Sequence, residues 1–182
     1  MQLFDSHLTA ATALAQFVRQ GLENDERIIL IARLDDWSRA AVDLSRDVSL
    51  ADVIASGRLT VCDSGLTLHA LLVDGWPSPE QFERIITPMI VAATQHGRPV
   101  RAYGDMVDVL AAERRHAAAA RLEELWNGLQ ARVPFTLFCG YSSGHFSGAE
   151  CGDALQRIRQ LHSQEICAQG DLVAGDLLQQ PV

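Results

Sequence analysis

The sequence contains no lysine; all fifteen of its basic residues are arginine. That absence removes Schiff-base chemistry, which needs a side-chain amine. It also removes the phosphate-loop lysine. No G-x-x-x-x-G-K-[ST] segment is present, so ATP hydrolysis on such a loop is excluded. The four cysteines, at positions 62, 139, 151 and 167, form no C-x-x-C pair. Together with His145 and His162 they match no standard zinc spacing, and no metal or other cofactor is expected. A Cys139–His145 catalytic pair has no evident orienting acid beside it in the sequence. No apolar run approaches the roughly 20 residues of a membrane helix. The start lacks a charged segment followed by a long apolar one, so neither a membrane span nor a signal peptide is expected. A cytoplasmic location with reduced thiols is the default. A basic stripe is missing too. The 15 basic residues are outnumbered by 23 acidic ones, for a net charge of −8, which argues against direct nucleic-acid binding.

What remains is a chain of 182 residues, long enough for one domain with a proper core. Gln2–Phe4 reads as a short first strand. Asp5 or Ser6 can cap a helix that runs to about Gln20, with Gly21 as its stop. RIILIA at 27–32 is a buried strand, and Asp35 and Asp36 open a second helix through about Ser45. A polar connector or short helix at 47–56 leads through Gly57 into the strand RLTVCD at 58–63. A helix at 66–73 follows, then the loop Gly75–Pro79. Ser78 caps the next helix, with Pro79 at its first position, and it ends near Gly97. The segment from Arg98 to Tyr141 reads strand, helix, helix, strand. A flexible loop, SSGHFSG, precedes a last helix at about 149–168, and a tail with a repeated Gly-Asp-Leu closes the chain. Strands alternating with helices predict an α/β fold: a three-layer sandwich with a mainly parallel sheet of about five strands.

Ligands of open α/β sheets sit beyond the carboxyl ends of the strands. Those ends carry Arg33, Asp63, Ser64, Tyr103, Gly104, Asp105, Tyr141 and Ser142. Tyr103 and Tyr141 offer apolar faces with polar tips, and Asp63 and Asp105 offer acceptors. Together they can line a small-molecule pocket. Asp63 and Asp105 can equally cap the helices that follow them. A buried guanidinium at Arg101 needs a partner, and Glu123 on the helix LEELWN is the candidate. That pair can orient a pocket or simply specify the fold. Trp126 lies on the apolar stripe of Leu122, Leu125 and Leu129, which suits a core residue as well as a ligand platform. Asn127 has no packing explanation. Two strand-end carboxylates also resemble a magnesium site for phosphoryl transfer, but without a phosphate cradle.

Several segments taken together carry a family resemblance. RAYGDMVDVL, RLEELWNGL and FTLFCGY resemble the MEDS domain, the sensory domain named for methanogens, methylotrophs and the dichloromethane-metabolism repressor. LFDSHLTAATALAQFVRQGLENDERIILIA at 3–32 resembles the family's opening, and GRLTVCDS at 57–64 and DGWPSPEQFERII at 74–86 its middle. The text around Leu161, His162 and Ser163 resembles its end. The resemblance covers about residues 2–168, leaving 169–182 as a tail, and makes Leu122–Asn127 a family signature.

It implies a RecA/KaiC-like core that lacks the phosphate loop, and a non-catalytic sensory role. The expected ligand site comprises Asp63, Arg101, Tyr103, Asp105, Glu123, Trp126, Asn127 and Tyr141. The implied partners are a small organic ligand, hydrocarbon-derived compounds among them, and a signalling protein such as a histidine kinase or transcription regulator, acted on in trans. Self-association into a homo-oligomer is compatible with it. The rival readings are a pseudo-ATPase interaction or scaffold module without a ligand, and a residual nucleotide-binding enzyme. The chain departs from the family in three places. Asp105 stands where Glu is commoner, and the first strand lacks the usual His and Tyr. Glu113–His116 lacks the expected glycine turn, which suggests a more continuous helix or an altered loop.

Overall fold

The computed structural model describes residues 2–4, 6–95, 97–146, 156, 160 and 166–167. Six strands form one sheet: β1 (Gln2–Phe4), β2 (Arg27–Ala32), β3 (Leu59–Asp63), β6 (Val100–Gly104), β7 (Thr136–Ser142) and β8 (Ile166–Cys167). Their order is β3-β2-β6-β7-β1-β8, and every neighbouring pair is parallel. The α/β three-layer architecture is as expected. The sixth strand, β8, takes Ile166 and Cys167 from the end of the anticipated last helix and pairs them with β1. The rest of that helix, apart from Gln156 and Gln160, and the tail lie outside the described residues.

Helices cover both faces. On one face lie α1 (His7–Glu23), α2 (Leu34–Leu44) and α3 (Leu50–Ala55). Leu14, Phe17 and Val18 of α1 pack there on Ile28, Leu30 and Tyr103. On the other face lie α4 (Ser64–Leu71), α5 (Pro79–Thr94), α6 (Met106–Ala112) and α7 (His116–Gln130). Phe82, Ile86, Ile90, Leu122 and Trp126 pack there on Ile29, Ile31, Ala102, Cys139 and Tyr141. Successive strand residues point to opposite faces, so β2 and β6 are mostly apolar, as doubly covered strands are, with Arg27 and the buried Arg101 as the charged exceptions.

Three local endings explain the boundaries. Gly21 does not stop α1. A Cβ there would come within 2.8 Å of Arg101 Cδ and of the Ile28 side chain, so glycine makes room for the packing of α1 on the sheet. The helix ends instead at Asp25, whose φ of 56° is left-handed. Asp25 N–H donates to Leu22 O (3.2 Å) and Glu26 N–H to Gly21 O (2.8 Å), the Schellman pattern. Arg114, at φ 60°, ends α6 in the same way, with Arg114 N–H to Ala111 O and Arg115 N–H to Leu110 O, both 2.9 Å. The turn therefore persists without a glycine, and α6 and α7 stay separate. Finally, α4 stops at Leu71. Leu72–Val73 (β4) and Trp76–Pro77 (β5) form a small hairpin around Asp74 and Gly75, both with positive φ. Asp-Gly is a preferred two-residue hairpin turn, so the segment read as a loop from Gly75 begins as a hairpin.

Candidate functional site

Neighbouring strands β2 and β6 send their following helices to opposite faces, α2 to one and α6 to the other. Their ends diverge, which opens a crevice of the kind that holds ligands in open α/β sheets. A cavity of about 140 Å³ lies there. Arg33 and Asp36 reach it from the end of β2 and the start of α2. Tyr103, Asp105 and Asp108 reach it from β6 and α6. Gly140, Tyr141 and Ser142 supply the β7 side, and Phe4, Ser6 and Ala10 close it from β1 and the first turns of α1.

Three of the lining residues are carboxylates and one is a guanidinium. Asp108 is fully engaged. Its Oδ2 accepts from Arg33 Nη2, and its Oδ1 accepts from Ser142 N–H (2.8 Å) and pairs with His145 Nδ1 (2.9 Å). It thereby ties β2, α6, β7 and the one-turn 3-10 helix Ser143–Phe146 together. Asp105 is less well served. Its Oδ2 accepts from the backbone N–H of Arg33 (3.0 Å), with Arg33 Nη1 at 3.9 Å. Its Oδ1 makes no hydrogen bond although the side chain is only 2% exposed. The Ser64 hydroxyl lies close enough to favour the anion but outside hydrogen-bond geometry. Burial pushes the Asp105 carboxyl up to about 6, against the pull of Arg33. Burial also opposes the charge on Arg33, but Asp105 and Asp108 outweigh it and raise the guanidinium further. Tyr103 is driven well above the usual phenol range, by burial first and by Asp105 and Asp36 next, so it remains a neutral donor.

The floor of the cavity is rigidly packed. The rings of Phe17, Tyr103 and Phe138 cluster with centroids 5.4–6.1 Å apart. Gly140 lies against them. A Cβ there would run into the Tyr103 hydroxyl and come within 3.0 Å of the Phe4 ring. Beneath Tyr141, on the other face, its hydroxyl donates to Glu123 Oε1 inside the core.

Of the eight expected site residues, the structure brings Tyr103, Asp105 and Tyr141 together at the cavity, with Arg33 and Ser142 from the wider strand-end set. Asp63 caps α4, its Oδ1 accepting from Leu66 N–H (2.6 Å). Asp105 occupies the corresponding position before α6 but makes no side-chain cap bond, because its carboxylate turns to Arg33. Arg101 does not pair with Glu123. Strand alternation puts Arg101 on the α1 face and Glu123 beneath the opposite one. Arg101 Nε pairs with Glu26, Nη1 donates to Phe17 O (3.0 Å), and the guanidinium lies 4.8 Å from the Phe17 ring centroid. Trp126 is core, edge-on to Phe82 at 5.1 Å. Asn127 Nδ2 donates to Glu123 O (3.0 Å) within α7.

Sequence reasoning missed Asp36, Asp108 and Gly140 as cavity residues, and weighed His145 only as a zinc ligand or as a partner of Cys139. Asp105 and Asp108 are three apart across a helix start, a spacing that places both at one strand end. The pattern reads equally as an acidic, solvated first turn. Asp108 is also the orienting acid that the sequence did not reveal for His145. Cys139 nevertheless stays a thiol, since burial first and Glu123 next push it well above the ordinary range.

Among the described residues, no group of three or more His, Cys, Asp or Glu side chains is placed to hold a metal ion. None of their helices is long and apolar enough to cross a membrane. A family model described as "MEthanogen/methylotroph, DcmR Sensory domain" (MEDS) matches residues 1–162. No curated protein matches the chain.

Proposed function

Given that this chain belongs to the MEDS family of sensory domains, we propose that it binds a small ligand in the β2–β6 crevice and passes the bound state to a signalling protein in trans. The observation that carries this reading is the cavity itself. It lies where two strand ends diverge, it mixes aromatic walls with buried polar groups, and one of its carboxylate oxygens lacks a partner. Pockets for small molecules have this composition.

In this reading Tyr103, Asp105 and Tyr141 touch the ligand. Glu123 acts through the Tyr141 hydroxyl, while Trp126 and Asn127 hold the helix that carries Glu123. Asp63 and Arg101 fix the frame, one as a cap and the other as a buried pair. The reading is non-catalytic. Descent from a RecA/KaiC-like nucleotide fold fits with it, since β1 passes into α1 across only Asp5 and Ser6, too short a link to cradle phosphates. Transmission needs the ligand to bind two conformations unequally. The Asp108 hub, which joins four segments beside the cavity, is the element such a difference acts on.

A thermal-shift screen of small molecules tests the reading, run on the native chain and on Gly140→Ala, whose added methyl displaces Tyr103. Hits that stabilise the native chain and lose their effect in the variant support it. Hits that stabilise both equally place the ligand elsewhere. One feature favours the interaction-only alternative: Val73 and Trp76 of the β4–β5 hairpin are about half exposed. A partner that protects Trp76 from solvent in a chain with no ligand response would decide for it.

A further inference from the structure

Within the small-ligand reading, on which this inference rests, the contacts already made around the cavity narrow the ligand class. The charged groups of the wall are occupied. Asp108 accepts from Arg33 and from Ser142 N–H and pairs with His145. Asp36 has a partner as well. Asp105 accepts from Arg33 N–H, and its Oδ1 is shut off from solvent beside the Ser64 hydroxyl. An ionic ligand has to compete with these partners. The Tyr103 hydroxyl is different. The residue is 2% exposed and packs on the α1 face of the sheet, yet its hydroxyl makes no hydrogen bond among the described residues. It lies over Gly140, where a Cβ would run into it, and both residues line the cavity. Unlike Asp105 Oδ1 it is not shut off, so a molecule in the cavity reaches it. Burial and the neighbouring carboxylates keep the phenol protonated, with an O–H to give.

We propose that the crevice selects a small uncharged carbonyl compound, its oxygen accepting from the Tyr103 hydroxyl and its apolar part lying against Phe4 and Ala10. A carbonyl oxygen accepts and brings no donor of its own. An alcohol accepts equally well, but its own O–H then needs an acceptor where the carboxylates are already engaged, and a buried polar group without a partner is unfavourable. Phe4 and Ala10 belong to one apolar cluster and border the cavity. The volume sets the size. A cavity of about 150 Å³ accommodates benzene, so a space of about 140 Å³ takes up to roughly six non-hydrogen atoms. Nucleotides do not fit. Gly140 is part of the selectivity, because any side chain there displaces the hydroxyl that reads the ligand.

The test is a titration of the isotopically labelled full chain at constant pH and ionic strength with four probes of similar size: cyclopentanone, methylenecyclopentane, cyclopentylammonium chloride and sodium cyclopropanecarboxylate. The amide signals of Tyr103, Gly140 and Ser142 report binding. Cyclopentanone is expected to shift them saturably, and the two ions are not. Tyr103→Phe keeps the ring and removes only the hydroxyl. Since that hydroxyl has no partner in the fold, the variant is expected to melt no lower than the native chain. Its affinity for cyclopentanone is expected to fall about tenfold, while its affinity for methylenecyclopentane is unchanged. Undiminished cyclopentanone binding in the variant, or an equal loss for ketone and alkene, overturns the role given to the hydroxyl. A lowered melting point of Tyr103→Phe overturns it too, because the hydroxyl then serves the fold. Tighter binding of either ion at the same signals makes the uncharged class wrong. In each of these cases the small-ligand reading survives. If none of the probes moves the signals, the inference fails. Silence of the same signals toward a broad fragment library as well removes the underlying reading.

Discussion

Asp105 gives the protein a pH dependence of calculable sign. Its carboxyl titrates at about 6 in the fold against 3.8 for the free side chain. Between those values the folded state binds more protons than the unfolded one, so stability falls as pH rises. This contribution is most favourable below about pH 4 and is lost as the pH passes through 6. A shift of about two units amounts to about 3 kcal/mol. Urea midpoints of the native chain and of Asp105→Asn, measured from pH 4 to 7.5, check this. The decline assigned to Asp105 should be absent in the variant; an identical decline in both would show that another group carries it. Arg101 is a simpler case. Arg101→Ala leaves Glu26 and Phe17 O without their buried cation and is expected to cost about 3–5 kcal/mol in denaturant unfolding. Normal unfolding behaviour would contradict the pairing. Gly21→Ala gains about 1 kcal/mol in helix propensity, but its methyl meets Arg101 and Ile28, and overpacking of this kind costs about 1–3 kcal/mol. A net loss is expected in the same unfolding experiment.

The sequence exposed these residues unevenly. Arg101 stood out because a guanidinium in an apolar strand needs a partner. The partner was misread because only the parity of β6 decides which face Arg101 enters. Glu26 gives no signal, lying in a charged turn that looks solvated. Tyr103 and Asp105 were legible from their place at a strand end. Asp36 was not, because an acidic residue in a first turn is already explained by the helix it begins.

At the scale of elements, the buried strand β2 was read to the residue, since a doubly covered strand is a continuous apolar run. Helix ends were harder. Asp25 and Arg114 take left-handed conformations that glycine usually fills, so a search for glycine missed both. A non-glycine residue in that conformation costs roughly 1–2 kcal/mol. Gly75→Ala, at φ 80° in the β4–β5 hairpin, is therefore expected to cost about 1–2 kcal/mol. An unchanged thermal unfolding midpoint would contradict that. The hairpin at Asp74–Gly75 was legible in principle, because Asp-Gly between Val73 and Trp76 is a turn signal. The prolines that follow it drew the reading toward a loop.

At the scale of the whole molecule, alternation of strands and helices foretold the parallel sheet and its two helical layers. It did not foretell strand order, which long-range pairing sets and local sequence does not. The order matters most for function, because it places α2 and α6 on opposite faces of adjacent strands and so opens the crevice. The link from β1 to α1 is too short for a phosphate cradle, and a cluster of carboxylates stands where the two strand ends part. Family membership and this geometry converge on sensing. The most direct measurement is native mass spectrometry of the full chain after exposure to a cellular small-molecule extract, with Gly140→Ala alongside. The account predicts a small adduct on the native chain that is released on denaturation and absent from the variant. No adduct on either protein, or the same adduct on both, would contradict a ligand site in the crevice.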